Sequence, residues 1–192
     1  MKDKKERRKW GLIVFIVLIM VGTTFSFVFY DSSPATEKVK YNGISFSGDG
    51  TKWIAKINGQ YAAFTFLPND VEKIPASGDF PAKLQGRFEV DSTYDLNSTY
   101  VQPIALAQHQ MGLTLEAYNI YLRRGFTTNS TYNLPIIRCS NATSNVPVIY
   151  FRQGNSSNIR TENNCIIAEA PTANDFIRIK DRLLYGILGV LK

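Results

Sequence analysis

Histidine and cysteine are scarce in this chain, with one His and two Cys among 192 residues. A zinc centre takes four ligands, most often thiolate or imidazole, and His109 with two widely separated cysteines is a poor supply. No G-x-G-x-x-G fingerprint, Walker A loop, G-x-S-x-G elbow or H-E-x-x-H pair occurs. Gly48-Asp49-Gly50 is short and stands between two strand-like runs, where a hairpin turn is its ordinary use. The sequence thus gives no positive support for an enzyme, and it implies no cofactor. A strong charge excess is missing too, once the net +6 is located. Lys2, Lys4, Lys5, Arg7, Arg8 and Lys9 face only Asp3 and Glu6 in the first ten positions, so +4 of the charge sits there and +2 is left for the rest. A near-neutral remainder offers no electrostatic footing for nucleic acid.

One stretch lacks charge altogether. Between Lys9 and Asp31 the phenol of Tyr30 is the only ionisable group, and Leu, Ile, Val and Phe dominate. At 1.5 Å per residue, about 20 apolar residues cross the roughly 30 Å hydrocarbon layer, so residues 10–30 are expected to form a transmembrane helix. Trp10 and Tyr30 stand at its ends, where amphipathic rings prefer the headgroup level. Basic residues beside a span stay on the cytoplasmic side. Residues 1–9 are therefore read as cytoplasmic, and everything after the span as lying outside the cell membrane. A cleaved secretory signal is the main alternative, but its apolar region is shorter and ends in small residues. Here the far end is bulky: Phe25-Ser26-Phe27-Val28-Phe29-Tyr30. A pilin-type leader, which Lys9-Trp10-Gly11 resembles, usually carries a Glu where Ile16 stands.

Residues 31–40 are polar, contain Pro34 and show no apolar period, which reads as a tether. Residues 41–192 suffice for one domain with its own core and are too few for two. Short alternating runs at 41–47, 51–57 and 60–66, separated by Asp49-Gly50 and Asn58-Gly59, predict a three-stranded antiparallel meander. A turn of helix is expected at 68–74 and a fourth strand at 87–94. Over 103–124 the period changes. Ile104, Ala107, Met111, Leu115, Tyr118 and Leu122 fall on one side at 100° per residue, which predicts a long helix across a sheet. Residues 134–139, 146–152 and 164–169 are β-rich and apolar. Thr172 with Asp175 makes a capping-box start for a last helix over 174–191, apolar on more than one side and so expected to be central. The class is α+β, with two long helices packed on a sheet.

Cys139 and Cys165 each adjoin a core strand run, and two thiols outside the membrane most often pair. A bridge there would stabilise by roughly 3.5 kcal/mol in the chain-entropy model. Redox chemistry would prefer a close C-x-x-C at a helix N-terminus. Four N-x-S/T triplets, at Asn97, Asn129, Asn141 and Asn155, are candidate glycan acceptors on loops. About two triplets are expected by chance in a chain this rich in Asn, Ser and Thr, so they support an outside location only modestly. His109, Glu116 and Arg123 follow one another at seven-residue spacing on the polar arc of the predicted helix. They could be a base, its orienting carboxylate and an anion-binding arginine. Seven residues are about 10 Å along a helix, so the plainer reading is a solvated charge ladder. Glu89, Asp91 and Asp95 share a strand face and could take Ca²⁺, but no EF-type loop accompanies them, and a hydrated outer face is the expectation.

The basic start Lys4-Lys5-Glu6-Arg7-Arg8-Lys9-Trp10-Gly11, the apolar helix and the Asn-rich remainder resemble in layout the small single-pass membrane proteins of archaea. That resemblance implies an anchored extracytoplasmic domain and carries over no activity and no site residue. The expected role is a membrane-tethered interaction or assembly module, with the lipid bilayer and a cell-envelope protein as partners. A solute-binding domain lined by Tyr41, Phe46, Trp53, Tyr61, Phe64 and Phe66 is the alternative. An enzyme built on the His109 helix or the acidic strand is the third.

Overall fold

A computed structural model describes residues 37–191 together with Phe15. The expected span at 10–30 lies outside the described residues but for Phe15, as do the basic segment before it and most of the tether. Among the described residues no helix is long and apolar enough to cross a membrane. The domain is α+β, as the sequence patterns predict.

Four strands, not three, make the first sheet: β1 (Glu37–Tyr41), β2 (Ile44–Gly48), β3 (Trp53–Ile57) and β4 (Gln60–Phe64), antiparallel in that order. The run read as one strand at 41–47 is broken by Asn42-Gly43, whose φ of 47° and 81° suits a tight hairpin of primed type. The strand so released reaches back into the segment read as tether. Asn58-Gly59 closes β3 onto β4 in the same way, with φ of 50° and 87°. Between β2 and β3 the Asp49 carboxylate accepts from the amides of Thr51 and Lys52 and from the Thr51 hydroxyl. Those bonds hold its pKa down at about 2.

The second sheet is mixed. A short helix α1 (Pro68–Val71), β5 (Ala76–Ser77) and α2 (Phe80–Leu84) lead to β6 (Glu89–Tyr94), then α3 (Val101–Glu116) and β7 (Tyr121–Phe126). A long excursion holding a 3-10 turn at Cys139–Asn141 precedes β8 (Val148–Gln153), β9 (Asn158–Glu162), β10 (Cys165–Ala170) and α4 (Ala173–Ile187). The order is β5-β9-β10-β8-β6-β7, with β10, β8, β6 and β7 parallel and β9 antiparallel to β10.

The helix expected over 103–124 stops at Glu116. Asn119 adopts φ 57°, its amide donates to Glu116 O, and the amide of Ile120 donates to Leu115 O. That is a Schellman stop, in which a left-handed residue satisfies the last carbonyls. Leu122 and Arg123 therefore belong to a strand. The last helix starts as predicted, the Thr172 hydroxyl accepting from Asp175 N–H at 3.3 Å. It ends at Ile187 and not Leu191, because Gly189 at φ 76° makes the same kind of stop, with Val190 N–H bonded to Tyr185 O. The strand expected at 134–139 is reduced to one bridge, Phe126 to Ile136. Pro135 brings no N–H there, and the Asn141 side chain takes the amide of Arg138.

Alternation splits the core. Ile149, Phe151, Ile166 and Ala168 face α3 and α4 in the main cluster, while Val148, Cys165 and Ile167 face the other way, against Ile137. The helix side is covered by α3 and α4, which also pack on each other. The opposite side is covered by the 127–147 excursion, pinned by the Cys139–Cys165 disulfide and by the Thr93 hydroxyl donating to Ile137 O. The disulfide is the pairing the sequence suggested.

Helix α4 is buried on nearly every side because it lies between the two sheets. Tyr185 stacks on Phe64 at 4.2 Å and meets Phe46 edge-on, so these aromatics are core and do not line a pocket. Burial of each such side chain contributes roughly 1.5–3 kcal/mol. The same helix carries Lys180 and Asp181, both buried, with Nζ to Oδ1 at 2.5 Å. Asp181 Oδ2 accepts from the amides of Thr65 and Phe66, each at 2.9 Å, which ties the end of β4 to α4. Burial pushes the Asp181 carboxyl above its ordinary pKa, against the pull of Lys180 and the two amides.

Candidate functional site

The three residues of the predicted polar stripe do not stay together. His109 and Glu116 are exposed on α3, but Arg123 sits on β7 with its side chain on the opposite face of the sheet. There Nε and Nη2 donate to the two Asp91 oxygens at 2.7 and 2.8 Å, and Nε lies 3.2 Å from Glu89. The hydrogen bonds to Asp91 raise the pKa of Arg123, with the charges of Asp91 and Glu89 adding to them. Asp91 is only 1% exposed, so the acidic strand is not a hydrated face. It is half of a cross-strand ion pair, and Asp95 lies beyond the strand end. Among the described residues no cluster of three or more His, Cys, Asp or Glu is placed to hold a metal ion.

His109 and Glu116 do share a cleft. It holds about 540 Å³ between the second half of α3 and the start of β7, and its walls include Gly112, Leu113, Ile120, Leu122 and Arg124. Arg124 thus takes the place in the cleft that the helical reading gave to Arg123. Even-numbered residues of β7 face α3, since Leu122 and Phe126 lie in the main core. The chain runs up α3 and back along β7 in opposite senses. A rise of about 10 Å from Glu116 back to His109 matches a rise of about 10 Å from Tyr121 on to Arg124. His109 and Arg124 therefore lie in one half of the cleft and Glu116 in the other. Leu113, 58% exposed, stands at its rim as an apolar lip.

The cleft adjoins an open strand edge. Pairing of β7 with β6 begins with Tyr121 N–H to Phe88 O and ends with Thr127 N–H to Tyr94 O, so odd-numbered residues face β6. The amides and carbonyls of Leu122, Arg124 and Phe126 point outward. Phe126 is taken, donating to Pro135 O and accepting from Ile137 N–H. Leu122 and Arg124 have no backbone partner among the described residues, and the Arg124 guanidinium makes no hydrogen bond or ion pair to any of them.

A smaller concavity of about 300 Å³ lies between Asp95, Asn97 and Ser98 after β6 and Tyr150–Gln153 of β8. Here the chain leaves β6 for β7 on one side while β8 lies on the other, the kind of switch point where open α/β sheets hold ligands. Asn97 stands on its rim. Asn129 and Asn155 follow β7 and β8, so these three triplets leave the sheet at its carboxyl end. Asn141 closes the 3-10 turn beside Cys139, and all four Asn are exposed. The α3–β7 cleft opens at the other end.

No protein-family model, curated protein or solved structure matches this chain. The cleft and the edge are what the molecule itself offers. Sequence reasoning missed Arg124 and β7 because the apolar period of α3 runs on into the strand. The signal that would have separated them is Asn119, a residue tolerant of left-handed backbone, ahead of the β-favouring run Ile120–Phe126.

Proposed function

We propose that this protein is a membrane-anchored, extracytoplasmic interaction module that holds a cell-envelope protein at the α3–β7 cleft. The observation that carries the reading is the open edge of β7 beside an apolar-lipped cleft, because unpaired strand edges invite pairing and folded proteins ordinarily cover them. Anchoring rests on the charge-free run at 10–30 and the basic residues before it. The Cys139–Cys165 bridge accords with an oxidising compartment, and four exposed Asn triplets accord with glycans outside the cell.

Photo-crosslinking residues placed at Leu113 and at Arg124 of the full chain in native membranes test the reading, with exposed Asn163, after β9 and so across the sheet from β7, as the distant control. One defined adduct from the cleft positions and none from Asn163 is the expected result. No adduct, or the same adducts from all three positions, defeats it.

A ligand-binding domain is the second reading. It is favoured by the volume of the cleft, which falls in the roughly 300–1,000 Å³ range of small-molecule sites. A thermal shift given by a small anionic metabolite, and lost in Leu113→Trp, would turn the preference toward it.

A further inference from the structure

The open edge defines what the partner must present. Resting on the docking role above, we propose that the cleft receives an extended acidic segment of the partner, which adds to the six-stranded sheet as a new strand beside β7. The edge offers the N–H and C=O of Leu122 and the N–H of Arg124, while the Arg124 carbonyl faces Pro135, which has no N–H to give. A compact ligand can fill the cleft but cannot bond both residues of the edge at once; an extended backbone can. Residues directly opposite one another in a sheet share a face. The residue set opposite Leu122 therefore enters the cleft, and the one opposite Arg124, two positions away, lies beside a guanidinium that has no ion pair. That guanidinium calls for a carboxylate, and the exposed Leu113 at the rim, with buried Ile120 in the wall below it, calls for an apolar side chain. The partner's signature is apolar-x-acidic, in either chain direction.

A second copy of this chain fits less well. The antiparallel self-pairing that uses both Leu122 and Arg124 centres on Arg123 and sets each Arg124 opposite a Leu122 of the other copy, so neither guanidinium gains a carboxylate. Arg124 thus disfavours pairing of the edge with itself while leaving it open to acidic chains.

Selection of a bead-displayed random octapeptide library on the full-length protein in detergent tests the proposal. Peptides carrying an apolar residue and a Glu or Asp two positions apart are the expected enrichment, and Arg124→Glu is expected to reverse the preference to apolar-x-basic. For one selected peptide, fluorescence anisotropy is then read after N-methylation of alternate amides. Methylation of the set facing β7 is expected to weaken binding at least ten-fold and methylation of the other set by less than two-fold. Circular dichroism of Arg124→Glu separates a lost site from a lost fold, and the N-methyl comparison needs no variant at all. Absence of enrichment, enrichment without the acidic position, or equal sensitivity to both methylated sets overturns strand addition. If native crosslinks at Leu113 and Arg124 persist in that case, docking stands and only the strand mode falls. Strand-dependent peptides with no native crosslink remove the docking role instead.

Discussion

Single residues decide where this sequence departs from its own periodicity. Asn42, Asn119 and Gly189 each take a positive φ, and each cuts short an element that hydrophobic patterning alone would extend. Gly186 acts by closeness: a methyl there would meet two Phe80 ring carbons at 2.5 and 2.6 Å. Gly186→Ala is expected to cost about 1–3 kcal/mol in urea unfolding, although alanine is the better helix former. Gly112→Ala, where a methyl meets only Leu122 at 3.7 Å, is expected to gain roughly 0.5–1 kcal/mol. Glu169 sets part of the acid limit. Burial raises its pKa, but hydrogen bonds from Asn158 and Arg152 and the charges of Arg152 and Arg160 outweigh this, so the pKa lies below the ordinary Glu value. A depressed carboxyl contributes stability above its unfolded pKa, and that contribution is lost as pH falls through the folded value. Unfolding midpoints should therefore drop from pH 5 toward pH 3, and the drop should be smaller in Glu169→Gln. An equal drop in both proteins would discard Glu169 as a source.

At the scale of elements, α4 and the bridged excursion do the joining. Asp181 grips the amides at the end of β4 while paired with Lys180, so Asp181→Asn leaves a buried ammonium unpaired. The expected loss is about 3–5 kcal/mol in urea unfolding, partly recovered by adding Lys180→Met. A loss below 1 kcal/mol would mean that water reaches the pair. Replacing both cysteines by Ser should remove roughly 3.5 kcal/mol and open residues 127–147 to limited proteolysis while the sheet persists. The cysteine pairing, the N-cap at Thr172 and the central place of the last helix were all legible in the sequence, because each is a local or compositional signal. The charges Lys180 and Asp181 were not. Their role depends on the meander, far away in the chain, and burial of α4 on its charged side appears only once two sheets enclose it. Strands β7 and β9 were hidden likewise, one behind a continued helical period and the other in a polar run whose apolar member, Ile159, is only one residue in five.

For the whole molecule, the α+β class and the first hairpins could be read from short-range patterns, whereas the parallel order of β10, β8, β6 and β7 could not. Parallel pairing joins segments distant in sequence, and no turn dipeptide announces it. The candidate site inherits that limit: His109 and Glu116 were visible on their helix, but the edge that gives them a neighbour is a product of sheet order. Sidedness belongs to this scale as well. Protease added to intact cells stripped of their outer layers should digest a tag placed after Lys192, and an enzyme that removes Asn-linked glycans should lower the apparent mass. A tag protected until lysis would overturn the assigned sidedness and the glycans together.

Because α4 lies between two sheets that both precede it in the chain, the part of each inner face that α3 leaves uncovered stays open until that helix has been made and docked. A nascent chain stopped short of residue 173 would present two oily surfaces to its surroundings, making this a domain that closes late, and a natural client for whatever chaperone waits where it emerges.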